Sequence, residues 1–260
     1  MCYESAQLAE RIYRDAIRAG ASEEELEYLR RNWEEKKRHK PTSKYYHVSG
    51  FEHPELVAFY KKDSHLELDH FTWGLIPHWV KDENQATDIW NKTLNARGES
   101  IFEKPSFKDA AENNRVIIPL DGFFEHHHKN KQTFPHFIQQ SDGENMLVAG
   151  LSSNWTNPST GEIIQSLSIV TTKGNELMRE IHNNPKLKGP RMPLILNENN
   201  VRTWLEGNSD EIETLIQQPS EVNIKAHTVR RLKGKNAPGN VPEAQKEFHY
   251  PEMEDPLTLF

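Results

Sequence analysis

The chemistry available to this chain starts with Cys2, the one cysteine among 260 residues. Aminopeptidases remove an initiator methionine when the second residue is small, so the processed chain would begin with a free α-amine beside a thiol. The reference pKa values of these groups are roughly 8 and 8.5, so both have nucleophilic forms within reach near neutral pH. Such an aminothiol condenses with an aldehyde to an imine and then to a thiazolidine. The alternative is that Cys2 is incidental, because small residues at position 2 are common.

Two titratable residues further along the chain could move protons. Glu125 follows the apolar run 116–120 and two phenylalanines, and partial burial would raise its pKa into the range of a general acid–base. His182 lies just beyond a predicted helix, and imidazole exchanges protons near neutral pH. Both could instead be structural, Glu125 as an ordinary strand-end residue and His182 as a favourable partner of the helix dipole.

Polar and aromatic side chains in two further segments could contact a ligand. In an extended segment, Asn95, Arg97 and Glu99 project on one side and bring together an amide, a cation and a carboxylate. A solvated strand face gives the same pattern. Trp79 follows a proline and could stack on a nucleobase, whereas Trp73 is expected in the core.

The composition excludes several functional classes. The formal net charge of −7 shows that the protein is not generally basic. A single cysteine excludes an internal disulfide or a multi-thiolate metal site. Residues 126–128 are three consecutive histidines, but consecutive residues on a strand point to opposite faces, so we expect no metal site there. We also expect no cofactor. No window approaches a membrane span and no signal peptide is evident, which predicts a cytoplasmic protein.

Two N-terminal helices, a set of strands and two later helices are expected to position these residues. The first helix carries Leu8, Ile12 and Ala16 and ends at Gly20, and the second begins at a capping box in 22–25. From 45 to 169 the hydrophobic period changes to two, which predicts antiparallel strands at 56–60, 116–120, 134–138, 146–150 and 166–170. A helix at 175–181, a strand at 192–196 and a helix at 198–206 capped by Asn197 follow.

The order of elements favours an α+β fold in which mainly antiparallel, twisted sheets form a barrel-like core with flanking helices. Regular βαβ alternation is absent, so a doubly wound sheet is not expected. We interpret residues 1–235 as one domain that includes the two N-terminal helices. Residues 236–260 are expected to form a C-terminal surface tail.

Five ordered motifs resemble the SRAP family (SOS-response-associated peptidase). They are an N-terminal MC, WGLIPHW at 73–79, NARGE at 95–99, GFFE at 122–125, and IH at 181–182 followed by RMPLIL at 191–196. The resemblance implies an SRAP-like fold and a covalent thiazolidine between the N-terminal cysteine and the ring-opened aldehyde of an abasic site. Single-stranded DNA with such sites would be the partner, and replication-fork proteins are further candidates.

The resemblance also implies roles for individual residues. Cys2 would be the crosslinking nucleophile, and Asn95 would position the cysteine and the sugar. Glu125 would orient the amine and assist proton transfer, while His182 would handle protons on the deoxyribose oxygen. Arg97 would hold a phosphate beside the lesion.

Further DNA contacts are expected from local groups, because affinity for phosphates depends on nearby cations and not on net charge. The candidates are Trp79, Phe107, Arg191, Arg230 and Arg231. Two departures from the family pattern are visible. Tyr3 and Glu4 stand where many members have glycine and arginine, so a phosphate contact is lost and a carboxylate would repel DNA. His126 replaces a common tryptophan.

Two other functions remain open. One is an N-terminal-nucleophile hydrolase, an amidase or self-processing peptidase in which the α-amine serves as base for the Cys2 thiol. The other is a plain single-stranded nucleic-acid-binding module in which these residues are inert.

Overall fold

The computed structural model describes residues 2–63, 65–184, 189–219 and 221–253. The strands in chain order are β1 (Glu4–Gln7), β2 (Tyr45–Ser49), β3 (Glu55–Lys62), β4 (His65–Trp73), β5 (Asn95–Arg97), β6 (Arg115–Leu120), β7 (Gly122–Lys129), β8 (Gln132–Gln140), β9 (Met146–Thr156), β10 (Ile163–Lys173), β11 (Arg191–Pro193), β12 (Ile195–Leu196) and β13 (Ile224–Thr228). The α-helices are α1 (Ile12–Arg18), α2 (Glu23–His39), α3 (Glu83–Trp90), α4 (Lys108–Asn113), α5 (Glu176–Ile181), α6 (Glu198–Glu206) and α7 (Ser209–Gln217). None of these helices is long and apolar enough to cross a membrane.

A closed barrel forms the centre of the fold. Its strand order is β10-β4-β3-β6-β9, and β9 pairs with β10 to complete the ring. Val57 and Phe59 of β3 pack with apolar side chains of α1, α2, α6 and α7, whereas Leu56 and Ala58 pack in a second cluster that contains Cys2. Apolar side chains on both faces explain the nearly continuous hydrophobic runs in these strands. The predicted α+β class, with mainly antiparallel sheets, a barrel-like core and flanking helices, is confirmed.

A second sheet, of strand order β13-β8-β7-β1-β2, carries the N-terminus. Within it, β1 lies between β2 and β7, and Glu4 pairs with Ser49 on one side and with Phe124 on the other. Because the strands are antiparallel, the residues before Glu4 approach those that follow Phe124. This register brings Cys2 towards the end of β7 that contains Glu125.

The first predicted helix requires a correction. Residues Glu4–Gln7 form β1, and α1 begins only at Ile12. Backbone pairing with β2 on one edge and β7 on the other outweighs the helical spacing that begins at Leu8. Ala9 has a left-handed φ of 54°, which ends the extended segment.

Two helices match their predicted boundaries and caps. In α2, Ser22 accepts from the backbone N–H of Glu25, and the Glu25 carboxylate accepts in return from the Ser22 N–H. In α6, Asn197 accepts from the backbone N–H of Asn200. Both helices are confirmed because their start signals act within one turn and need no distant partner.

The predicted strand at 192–196 is divided into β11 and β12. Met192 pairs with β10, whereas Ile195 pairs with β9. Between them, the N–H of Leu194 donates to the carbonyl of Val170 and its own carbonyl accepts from the Ala149 N–H. The segment therefore passes from one barrel strand to the next, which interrupts the strand at Leu194.

The C-terminal segment also differs from the expected surface tail. Ala244 is fully buried and Tyr250 is only 7% exposed. The Tyr250 hydroxyl donates to the carbonyl of Val229 at 2.9 Å, and Val229 forms a β-bridge with Glu247. Residues 236–253 thus pack through a few apolar anchors in a polar sequence, and 254–260 lie outside the described residues.

Candidate functional site

Cys2 is buried at the start of the second sheet. Its side chain is 1% exposed, and Sγ donates to the carbonyl of Glu4 at 3.8 Å. Burial raises the pKa of the Cys2 thiol well above its ordinary value, and the negative charges of Glu125 and Glu4 act in the same direction. The thiol is therefore neutral near pH 7 and lies within the electrostatic reach of Glu125.

Glu125 and His182 form a buried pair beside this thiol. His182 Nδ1 lies 3.0 Å from Glu125 Oε2, and the two residues are 4% and 9% exposed. The other carboxylate oxygen, Oε1, accepts from the backbone N–H of His126 at 3.1 Å. An ionised carboxylate can only accept, so Nδ1 of His182 carries the shared proton.

The expected direction of the Glu125 pKa was wrong. Burial is the largest single influence and by itself would raise this pKa, as the sequence suggested, but the hydrogen bond from His182, the positive charge of the N-terminus and the backbone N–H of His126 together outweigh it and the net pKa is lowered. Hydrogen bonds and a nearby positive charge favour the ionised carboxylate, whereas burial disfavours it. Glu125 is consequently ionised at neutral pH and suits a proton acceptor.

Helix α5 holds His182 in this position. Asn175 caps the helix by accepting from the Met178 N–H, and the His182 N–H donates to the Met178 carbonyl at 2.8 Å. Met178 and Ile181 are buried in the apolar cluster that contains Cys2. The short helix is thus anchored by its apolar face, and its last turn presents His182 to Glu125.

Asn95 is the unusual polar residue of the site. It begins β5, which pairs in parallel with β10 at Ile169. Both Nδ2 and Oδ1 of Asn95 are buried, and neither has a hydrogen-bond partner among the described residues. A buried amide without partners costs free energy in the folded state, so its presence is typical of a site that hydrogen-bonds a ligand.

An aromatic pair that the sequence analysis did not assign to the site lies next to Cys2. The Tyr3 and Phe51 rings have centroids 5.1 Å apart, and Phe51 is 51% exposed. Burial and Glu125 raise the pKa of the Tyr3 phenol, whereas exposed Arg97 lowers it. Tyr3 therefore lies within reach of both Glu125 and Arg97. The available signal was a large aromatic residue directly after the N-terminal cysteine.

Arg191 is committed to the fold. Its guanidinium makes two hydrogen bonds to the Glu99 carboxylate, at 2.7 and 2.8 Å, and a third to the Thr171 carbonyl at 2.6 Å. Arg191 thus holds β11 against β10, and Glu99 pairs with Arg191 instead of joining Asn95 and Arg97. A DNA contact by Arg191 stays a prediction, in which a phosphate would compete with Glu99 for the guanidinium.

The two aromatic candidates for DNA contact differ in accessibility. Trp79 is 40% exposed, and its Nε1 donates to the Pro105 carbonyl at 3.2 Å, which orients the ring. Phe107 is 9% exposed and packs in the core with Ile101 and Ala111. Phe107 was expected to contact DNA, but its ring is used for packing and is not placed on the surface.

The basic residues after β13 lie on the surface. Arg230 stacks its guanidinium over the Phe248 ring at 4.8 Å, and Arg231 donates to the Gln132 side chain at 3.0 Å. Lys233 is different, since its ammonium lies 3.0 Å from a carboxylate oxygen of Glu4 on β1. Of these basic residues, Lys233 thus lies against β1, which begins two residues after Cys2.

The three histidines at 126–128 were not expected to bind a metal. His127 Nδ1 lies 2.9 Å from the Glu180 carbonyl, and the His128 N–H donates to the Asn183 side chain. Within the part of the chain that the structure describes, no group of three or more His, Cys, Asp or Glu residues could hold a metal ion.

Comparison with known proteins places the chain in a family. The model of the SOS response associated peptidase (SRAP) family matches residues 13–235. The chain is 34% identical over 198 residues to the abasic site processing protein YoqW of Bacillus subtilis, covering 75% of this chain and 82% of that protein. It is 28% identical over 211 residues to the abasic site processing protein HMCES of Xenopus tropicalis, covering 72% and 60% respectively.

A solved structure supports the same assignment. The crystal structure of a protein from Bacteroides thetaiotaomicron superposes with a TM-score of 0.76 at 31% identity, covering 95% of this chain and all of that one. The shared barrel, the ordered motifs and the family match lead to one conclusion. The chain belongs to the SRAP family.

Proposed function

We propose that this protein processes abasic sites in single-stranded DNA and, once Met1 has been removed, binds them covalently through Cys2. The observation that carries the proposal is the buried Glu125–His182 pair, joined at 3.0 Å, whose charge reaches the Cys2 thiol. The names of the relatives, abasic site processing proteins, support the same substrate. The crosslink would shield the lesion from strand cleavage.

The first step is to open the sugar ring. An abasic deoxyribose is mostly a closed hemiacetal, so a proton must leave its C1′ hydroxyl and another must reach the ring oxygen before an aldehyde exists. His182 is the group suited to this exchange, because imidazole both donates and accepts near neutral pH. The ionised Glu125 orients its ring and stabilises the imidazolium form.

The second step joins the protein to the sugar. The α-amine of Cys2 adds to C1′, and the resulting carbinolamine loses water to give an imine. The thiol then adds across the imine: sulfur bonds to C1′ and the thiol proton passes to nitrogen, which closes the five-membered ring. The sum is aldehyde plus aminothiol giving thiazolidine plus water. Glu125 accepts the amine proton and returns it to the departing hydroxyl.

Two further residues would orient the sugar and its neighbouring phosphate. Asn95 has a buried amide with unused donors and an unused acceptor, which suits hydrogen bonds to the sugar and to the α-amine. Arg97 is exposed next to it on β5 and suits a phosphate. Trp79, Arg230 and Arg231 are surface groups that would extend the contact along the strand.

The test is adduct formation by protein whose Met1 removal has been verified by intact mass. The expected result is an SDS-resistant complex with single-stranded DNA that carries an abasic site and none with the intact oligonucleotide. Cys2→Ala should abolish the stable complex. Absence of a complex with the processed wild-type protein would contradict the proposal. Turnover of an amide substrate without DNA, partly retained in Cys2→Ser, would instead favour the N-terminal-nucleophile hydrolase.

A further inference from the structure

A buried carboxylate lies at the start of β1, two residues after the proposed nucleophile. Glu4 is 4% exposed, and its carbonyl accepts from the Cys2 thiol. Lys233 Nζ and His47 Nε2 lie 3.0 and 3.8 Å from Glu4 Oε1, and His126 Nε2 lies 4.0 Å from Oε2. Burial would raise the Glu4 pKa, but His47 and Lys233 outweigh burial and bring it to about 2. Glu4 is therefore a fixed negative charge held among three basic side chains.

Lys233 is not enclosed with its partner. Its side chain is 74% exposed, whereas that of Glu4 is 5% exposed. The Lys233 ammonium lies 3.0 Å from Glu4 Oε1, so one N–H faces the carboxylate. An ammonium has three N–H donors. The remaining donors of Lys233 are on an exposed side chain and can bind an acceptor that arrives from solvent.

The pair also fixes the direction of the lysine. A free lysine on a loop samples many rotamers and loses that conformational entropy on binding. The buried Glu4 carboxylate holds the ammonium beside β1, two residues from Cys2. A cation held in advance at this position binds a phosphate with less loss of entropy than a free lysine would.

We propose that Lys233, positioned by Glu4, binds a backbone phosphate of the DNA strand next to the captured sugar. The inference rests on the proposed function and names a residue for its phosphate recognition. The Glu4 carboxylate, which the sequence predicted would repel DNA, instead positions the Lys233 ammonium, and this ammonium screens its charge from the DNA. His47 and His126 also lie beside the carboxylate, and Lys233 stays paired with Glu4 while its remaining N–H groups donate to the phosphate.

The test compares two neutralised ion pairs with the same net charge. In E4Q/K233M both charges of the proposed site are removed together, so no lone charge is buried. The control, R202M/E206Q, neutralises the 2.9 Å pair on α6, whose arginine is 87% exposed. The measurement is the salt dependence of noncovalent binding to single-stranded DNA containing tetrahydrofuran, an abasic analogue that has no aldehyde and forms no crosslink.

The expected result is a loss of about 0.7 from the slope of log K against log salt in E4Q/K233M, which is one phosphate contact, and about fivefold weaker binding at 0.1 M salt. R202M/E206Q should bind like the wild type, and K233R should keep the wild-type slope. An unchanged slope in E4Q/K233M would overturn the inference and leave the pair a structural one. If that variant does not fold, K233Q changes one exposed side chain and gives the same two outcomes.

The two proposals fail in different experiments. A wild-type protein that forms no adduct with an abasic aldehyde contradicts the crosslinking function, whatever the salt slope. A wild-type protein that crosslinks normally, together with an E4Q/K233M variant of unchanged slope, contradicts only the role of Lys233.

Discussion

His182 Nδ1 lies 3.0 Å from Glu125 Oε2, and this contact is the largest of the influences that together offset burial and lower the Glu125 pKa. A carboxylate in an apolar site is expected to hold its proton, yet this one is ionised because the imidazole, the positive charge of the N-terminus and the His126 N–H stabilise its charge. The pair therefore has an ionised member that can accept protons, Glu125, and a member that can relay them, His182. Such a division is typical of acid–base sites.

Glu125→Gln should slow adduct formation by about 10²- to 10⁴-fold, the usual contribution of a positioned acid–base group. The amide keeps the size of the carboxylate but cannot accept a proton from the amine. Rates from single-turnover gels with processed protein measure the effect. Glu162→Gln, at an exposed position, is the matched control. Equal rates in Glu125→Gln and wild type would remove Glu125 from the mechanism.

Asn95→Leu should separate stability from activity. The Asn95 amide is buried without partners, so an apolar residue of similar size should leave the free energy of unfolding unchanged or raise it by about 1 kcal/mol. Adduct formation should nevertheless slow, because the sugar loses its hydrogen bonds. Denaturant unfolding and the adduct assay measure the two effects. A large loss of stability would show that the amide has a structural partner.

Arg97→Met and Arg191→Met should have opposite effects. Arg97 is exposed on β5, so its loss should weaken DNA binding and reduce the salt slope by about 0.7. Arg191 is held by Glu99 and Thr171, so its loss should lower the melting temperature and leave the slope unchanged. Salt titrations and thermal melts of both variants check this. A lower slope in Arg191→Met would return that residue to the DNA contacts.

Phe51→Ala and Trp79→Ala should each weaken binding to single-stranded DNA. Both rings are exposed, at 51% and 40%, and a stacked base contributes about 1–3 kcal/mol, so a loss near tenfold is expected. Ile163→Ala removes an apolar side chain that is 63% exposed and is the control. Fluorescence anisotropy with tetrahydrofuran-containing DNA measures binding without the crosslink. Equal losses in all three variants would indicate a nonspecific effect.

Asp15 should make the folded protein less stable as the pH rises. It is fully buried, and burial raises its pKa from 3.8 to about 6 even though Asn145 donates to it at 2.8 Å. Between these pH values the folded state binds more protons than the unfolded state, so this contribution is present below pH 3.8 and is lost as the pH passes 6. Asp15→Asn should remove this pH dependence, which amounts to up to about 3 kcal/mol in the free energy of unfolding between the two pH values. Urea unfolding at pH 3.5 and pH 7.5 tests the difference, and parallel changes in both proteins would contradict it.

Sequence patterns predicted elements whose causes are local. The capping box of Ser22 and Glu25 and the Asn197 cap act within a single turn, so α2 and α6 were placed correctly. The strand runs of the barrel were also recognisable, because apolar residues on both faces leave few alternatives. The spacing that begins at Leu8, in contrast, predicted a helix where β1 ends. That prediction failed because the conformation of this segment depends on pairing with two strands distant in sequence.

The sequence by itself determined the residue types of the site, namely an N-terminal aminothiol, a glutamate, a histidine and an asparagine, and their order in five motifs. Only the tertiary structure decided their protonation states and which side chains surround them. Glu125 contacts His182, Arg191 contacts Glu99, and Lys233 contacts Glu4, because strands and loops far apart in the chain are packed together. Burial and charge act through space over a few ångströms, so the pKa of a carboxylate depends on neighbours that sequence distance does not reveal.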